Sequence, residues 1–105
     1  MNRKRLPSLA RLTRKLDCVF SAYIRKRDGL GGGYGRCISC GAYTKIQAGH
    51  FIKRQHRAVR WDERNVAGQC VRCNKWLHGN DGAFCLALIE RYGKATVDEL
   101  MALKR

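Results

Sequence analysis

Four of the six cysteines stand in two matching pairs, Cys37 with Cys40 and Cys70 with Cys73, and 29 residues separate the pairs. Two residues between thiolates let one tight turn aim both sulfurs at a single ion. Two such turns complete the tetrahedron that structural zinc prefers. Gly41 follows the first pair and eases its turn. A chain of 105 residues has a modest apolar core, so zinc-binding free energy is expected to order the irregular stretch 36–75. Four thiolates saturate the ion and leave no open position, so any reaction has to occur beside the zinc and not on it. Of the other two cysteines, Cys85 sits in an apolar run and reads as core, while Cys18 stands among arginines and reads as an ordinary free thiol.

The segment between the pairs carries AGHFI (48–52) and RWDERN (60–65), and Asn74 follows just beyond the second pair. His50 offers a neutral imidazole near pH 7, a base for water. Asn65, 15 residues later, offers an amide to hold that ring, and Asn74, 24 residues after the histidine, offers a carbonyl oxygen to a hard ion such as Mg²⁺ or Mn²⁺. Phosphodiester hydrolysis needs these three parts: a base, a cation for the developing charge and leaving oxygen, and a group that keeps the base in place. The competing assignments are structural, with His50 satisfied by backbone in a strand and the asparagines serving as turn and helix-cap residues.

The order and spacing of His50, Asn65 and Asn74 resemble those of HNH, or ββα-metal, nucleases, in which two strands and a helix wrap one divalent ion. One departure is Gly49, which stands where many such enzymes carry a ligand. A second ligand is expected from Asp62, with Glu63 or His78 behind it, unless substrate phosphate completes the site or His50 itself binds the ion. More specifically, AGHFIKR, RWDERNVAGQCVRCN and LHGN, with LDCVFSAYIRKRD leading into CISCG, resemble the phage NinG, or Rap, recombination nucleases over residues 16–92. That resemblance implies a phage-encoded, metal-dependent endonuclease acting on branched recombination intermediates, Holliday junctions and D-loops among them. Two rivals remain: a zinc-knuckle module that grips nucleic acid and cuts nothing, and a structural protein that docks onto ribosomal RNA.

Charge supports a polyanionic partner. Lys and Arg number 22 against 8 Asp and Glu, a net +14, and residues 1–75 hold 18 of the bases and 4 of the acids. Such a field releases counterions from a polyphosphate and positions it without reading its sequence. Arg3, Lys4 and Arg5 form a basic arm, and Lys53, Arg54, Arg57, Arg60 and Arg64 crowd the loop beside His50; these eight are the candidate DNA contacts. Trp61 and Trp76 are expected to pack against the knuckles, with base stacking as the alternative. No run approaches the roughly 18 apolar residues of a membrane span, and the N-terminus lacks signal-peptide features, which together point to the cytoplasm. Thiols stay reduced there, which favours metal over disulfide.

The elements that must position these residues read as one small α+β domain over 1–105. The expected order is a basic arm (1–7), an amphipathic helix (8–28), a glycine-rich flexible linker (29–35), a zinc-stabilised HNH-like ββα-metal core (36–80) and two C-terminal helices (83–105). In the first helix Leu9, Leu12, Leu16, Val19, Phe20, Tyr23 and Ile24 share a face. Thr96 and Glu99 are spaced as a capping box that opens the last helix. The C-terminal helices either form a homodimer interface or cap the core of a monomer.

Overall fold

The computed structural model describes residues 6–104, so the basic arm at Arg3, Lys4 and Arg5 lies outside the described residues. Helix α1 (Leu9–Asp28) opens where the Ser8 hydroxyl accepts the backbone N–H of Arg11 at 3.1 Å, satisfying one of the donors a helix start leaves orphaned. It docks on the rest of the chain through a face that is largely polar. Thr13 and Ile24 are buried, Asp17, Phe20, Ser21, Arg27 and Asp28 are half-buried, and Leu9, Leu12, Leu16, Val19 and Tyr23 face outward. Directional bonds account for this choice. The Arg27 guanidinium donates to the Glu63 and Val66 carbonyls at 2.8 and 2.7 Å, and the Asp28 carboxylate accepts the Gly68 N–H at 2.7 Å.

The glycine-rich stretch is not a flexible linker. Strands β1 (Gly29–Gly31), β2 (Tyr34–Arg36) and β3 (Tyr43–Lys45) form an antiparallel sheet in that order. Gly32 and Gly33, at φ of 61° and 84°, supply the left-handed pair that a two-residue hairpin turn demands. A second antiparallel pair, β4 (Gln47–His50) and β5 (Val66–Gln69), sets Ala48 opposite Gly68 and His50 opposite Val66. A single helical turn (Arg57–Val59) lies in the loop between them, and a wide helical turn (Arg72–Trp76) follows β5, closed by the Leu77 N–H on the Arg72 carbonyl at 2.8 Å.

Helices α2 (Asp81–Tyr92) and α3 (Lys94–Leu103) meet at Gly93, whose φ of 92° makes the corner. Helix α3 therefore starts earlier than a capping box at Thr96 requires, and the Thr96 hydroxyl instead donates to the Tyr92 carbonyl at 3.2 Å. The core sits between β5 and these helices. Ala67, Phe84, Leu88 and Val97 form one buried cluster, Ile52, Val59 and Leu100 another, and Phe51 packs against both. Cys85 packs against the first cluster. The result is a small mixed α+β fold, and no described helix is long and apolar enough to cross a membrane.

Candidate functional site

The two cysteine pairs converge. Cys37 follows β2, Cys40 precedes the turn at Gly41, Cys70 follows β5 and Cys73 lies in the wide helical turn. Their four Sγ atoms lie within 4.8 Å of one another, with Cys40 and Cys70 at 3.7 Å. A tetrahedron with Zn–S bonds of about 2.3 Å has sulfurs roughly 3.8 Å apart, so the cage has the size and donor chemistry of a structural zinc site. The backbone favours thiolate at Cys37. Burial alone would raise the Cys37 thiol, yet the backbone N–H groups of Cys70, Cys40 and Ser39 bring it down to about 7. Burial pushes Cys73 up to about 12. Two donors lean on the sulfurs from outside: the Cys73 N–H reaches Cys70 Sγ at 3.4 Å, and the Asn80 side-chain amide reaches Cys73 Sγ at 3.5 Å.

Beside this cage a cleft of about 820 Å³ opens between α1, β4 and the wide helical turn. Its walls include His50, Asn74 and His78, the cations Arg25, Lys45, Lys53 and Arg54, and one carboxylate, Asp17. His50 Nε2 lies 2.8 Å from the Arg60 carbonyl, so the ring donates from Nε2 and keeps Nδ1 unprotonated. Burial holds the His50 pKa below the ordinary 6.5, and the Arg54 and Arg60 charges lower it further against the opposing Arg60 carbonyl and Asp17.

Asn65 does not touch the imidazole. It is fully buried: its Oδ1 accepts the Ile52 N–H at 2.8 Å, and its Nδ2 donates to the Ile52 and Val59 carbonyls at 2.9 and 3.0 Å. It thus cross-braces both ends of the loop whose next residue, Arg60, supplies the carbonyl that holds His50. The Asn74 Nδ2 donates to Gln47 Oε1 at 2.9 Å, and among the described residues the side-chain oxygen of Asn74 accepts no hydrogen bond.

Asp62 lies away from the cleft. Its carboxylate accepts the Arg64 N–H at 3.0 Å and the Arg64 guanidinium through two further bonds at 3.0 and 2.8 Å, and that partner holds its pKa below 3.8. The carboxylate in the cleft is Asp17, which sequence spacing did not single out. It accepts the Arg60 guanidinium through both oxygens, one of those bonds at 3.0 Å, and the Trp61 indole N–H at 3.0 Å, with Arg54 at 3.7 Å. Arg60 holds its pKa below 3.8 most strongly, against burial. Asp17 lies 43 positions from Arg60, and no motif ties the two. Gly49 also has a structural reason: a Cβ there would collide with the Gln69 side chain.

Of the candidate DNA contacts, Lys53 and Arg54 line the cleft and Arg57 is exposed. Arg60 and Arg64 are committed inside the molecule, Arg60 to Asp17 and Arg64 to Asp62 and Glu99. Arg25 and Lys45, which the sequence did not single out as DNA contacts, join the cleft. Trp61 is half-buried with its indole N–H on Asp17 of α1, and Trp76 is 77% exposed, so it does not pack against the knuckles.

Among known proteins, the model of the family described as Bacteriophage Lambda NinG protein matches residues 1–105. Protein ninG of Salmonella phage P22 is 43% identical over 86 residues, which cover 76% of this chain and 39% of that protein. The counterparts from Escherichia phage 933W and Escherichia phage lambda are 41% and 40% identical over the same coverage. The chain thus spans about two fifths of the length of the curated relatives it matches. No solved structure matches it. A family match that runs the whole chain, joined by relatives at this identity, establishes that the chain belongs to the NinG family.

Proposed function

We propose that this chain is a zinc-stabilised, HNH-like endonuclease domain that hydrolyses DNA phosphodiesters at branched recombination intermediates in the cytoplasm of a phage-infected bacterium. The observation that carries the reading is His50, a ring with a fixed tautomer that shares a cation-lined cleft with Asn74 and His78. The hairpin β4–β5 followed by the Arg72–Trp76 turn supports a ββα arrangement around it.

Each residue's part follows from its bonds. Because Nε2 donates to the Arg60 carbonyl, His50 accepts a proton from water at Nδ1, and its lowered pKa keeps that nitrogen free at neutral pH. Water oxygen then bonds to phosphorus as the bond to the leaving oxygen breaks. Asn65 braces the loop that supplies the Arg60 carbonyl, and Asp17 braces the Arg60 side chain from α1, so both are positioning residues. Arg25, Lys45, Lys53 and Arg54 attract the phosphate backbone.

Cys37, Cys40, Cys70 and Cys73 would hold zinc, which cross-links the two ends of the segment. The Asn74 carbonyl oxygen and the ring of His78 would hold Mg²⁺ or Mn²⁺, which when bound neutralises charge on the phosphate and the leaving oxygen. Among the described residues no second group of three or more His, Cys, Asp or Glu side chains converges, so substrate phosphate has to complete that coordination. The same sparse donor set favours one rival, a zinc module that binds branched nucleic acid without cutting it.

A synthetic four-way junction separates the two. Cleavage that requires Mg²⁺ or Mn²⁺ and disappears in His50→Ala, with junction binding retained, is the expected result. Tight binding with intact strands under both metals would establish the rival.

A further inference from the structure

Helix α1 carries an apolar stripe that the described residues leave largely exposed. Leu9, Leu12, Leu16, Val19 and Tyr23 are each between 44% and 71% exposed, although they alternate in steps of three and four over two heptads. Such a strict seam is narrow. It fits the a and d positions of a helix pair, whereas a lipid surface takes a broader apolar face. The seam exists because α1 is held by other residues, through Thr13, Asp17, Ile24, Arg27 and Asp28.

The flanking charge identifies the occupant. At about 100° per residue, Arg11, Lys15 and Lys26 lie along the seam's outer flank. Among the described residues none of these three forms an ion pair with a carboxylate. The two acids of α1 are committed elsewhere, Asp17 to Arg60 and Asp28 to Arg27 and the Gly68 N–H. A second copy docking through the same face would set those cations mainly against further cations, Glu63 beside Tyr23 being the exception. We propose that this stripe is the docking face for an acidic amphipathic α-helix of a partner protein, with apolar residues in the seam and Glu or Asp against Arg11, Lys15 and Lys26. The stripe's residues belong neither to the cleft nor to the cysteine cage, and the proposal does not depend on nuclease activity.

Calorimetry on the zinc-loaded chain tests it, using a synthetic four-heptad peptide with Leu at a and d and Glu at e and g. Its glutamates oppose self-pairing. The control peptide has the same composition with the heptad order scrambled. One-to-one binding of the ordered peptide is expected, weakened by about tenfold or more in Leu12→Gln/Leu16→Gln and weakened by added salt. Both substitutions fall on exposed positions, and zinc content together with the circular dichroism spectrum checks the fold of the variant. Equal binding of the scrambled peptide, or an affinity indifferent to the double substitution, overturns the proposal. So does a wild-type dimer in sedimentation that the double substitution dissolves, which assigns the seam to a second copy. Partition of the wild type, but not the variant, onto phosphatidylglycerol vesicles in preference to the ordered peptide assigns it to lipid.

Discussion

The segment from Cys37 to Asn80 and the pair α2–α3 solve the same problem by different physics. In the first, the buried apolar side chains Ile46, Ile52, Val59, Val66 and Ala67 are joined by directional groups: four sulfurs, the three bonds of Asn65 and the carboxylate of Asp17 reaching in from α1. In the second, Phe84, Leu88, Val97 and Leu100 are buried by contact alone. Directional bonds hold a ring nitrogen in a chosen orientation but fail at once when a partner is lost. Apolar packing tolerates loss by degrees and orients nothing. The chemistry-bearing residues accordingly sit in the first region, while both regions contribute to the apolar core.

The largest test of this contrast is metal removal. Zinc binding by small cysteine sites is worth about 10 kcal/mol or more, so chelation or Cys70→Ser is expected to abolish amide-exchange protection across β4 and β5. Because Ala67 and Phe51 belong to the apolar clusters, the loss reaches α2 and α3 as well, read as a collapse of the thermal transition. Phe84→Ala breaks the other region. It is expected to cost about 3–5 kcal/mol while the cysteine cage still binds a metal probe such as Co²⁺ with its thiolate spectrum.

Asn65→Ala comes next. It strands the Ile52 N–H and carbonyl and leaves the Val59 carbonyl only the Asp62 N–H, an expected loss of about 3 kcal/mol in chemical denaturation, with the His50 ring resonances broadened. Asp17→Asn is smaller, about 1–2 kcal/mol, because the charge-assisted bonds to Arg60 weaken while the loop keeps Asn65. Its signature is a His50 tautomer ratio, measured by nitrogen NMR, that shifts away from the Nε2–H form.

The smallest effect is on pH dependence. The His50 pKa is lowered below 6.5, so the unfolded chain takes up that proton first, and stability falls modestly as pH drops below about 6.5. Asp17 and Asp62 are held below 3.8, as is Asp28, where Arg27 and the Gly68 N–H overcome burial. Their contribution is present above about 3.8 and is lost as pH falls through their lower native values. Melting curves from pH 8 to 3 are expected to show both limbs, and His50→Gln to remove only the upper one.

What was legible in the sequence was what local spacing alone dictates. The cysteine pairs converge because a CxxC turn needs only its own residues, and the three helices follow from periodicity and glycine stops. What was not legible depends on distant partners. Periodicity says that Leu9, Leu12 and Leu16 share a face but not that the face is covered, and here Asp17 and Asp28 tied the opposite choice through contacts some 40 residues away. Glycine content said linker, yet paired positive φ angles at Gly32 and Gly33 build a hairpin. The spacing of Asn65 from His50 was informative, but the amide acts on backbone two steps removed from the ring. Asp62 looked like a ligand by type and position, and the neighbouring Arg64 had already claimed it.

The collision between a Cβ at position 49 and the Gln69 side chain constrains how this fold can change. A lineage that acquires a histidine or an acid at position 49 needs residue 69 shortened or redirected beforehand or simultaneously, because changing position 49 first passes through a clash in the paired strands. The two sites are therefore one evolutionary unit, and the accessible mutational path runs through Gln69.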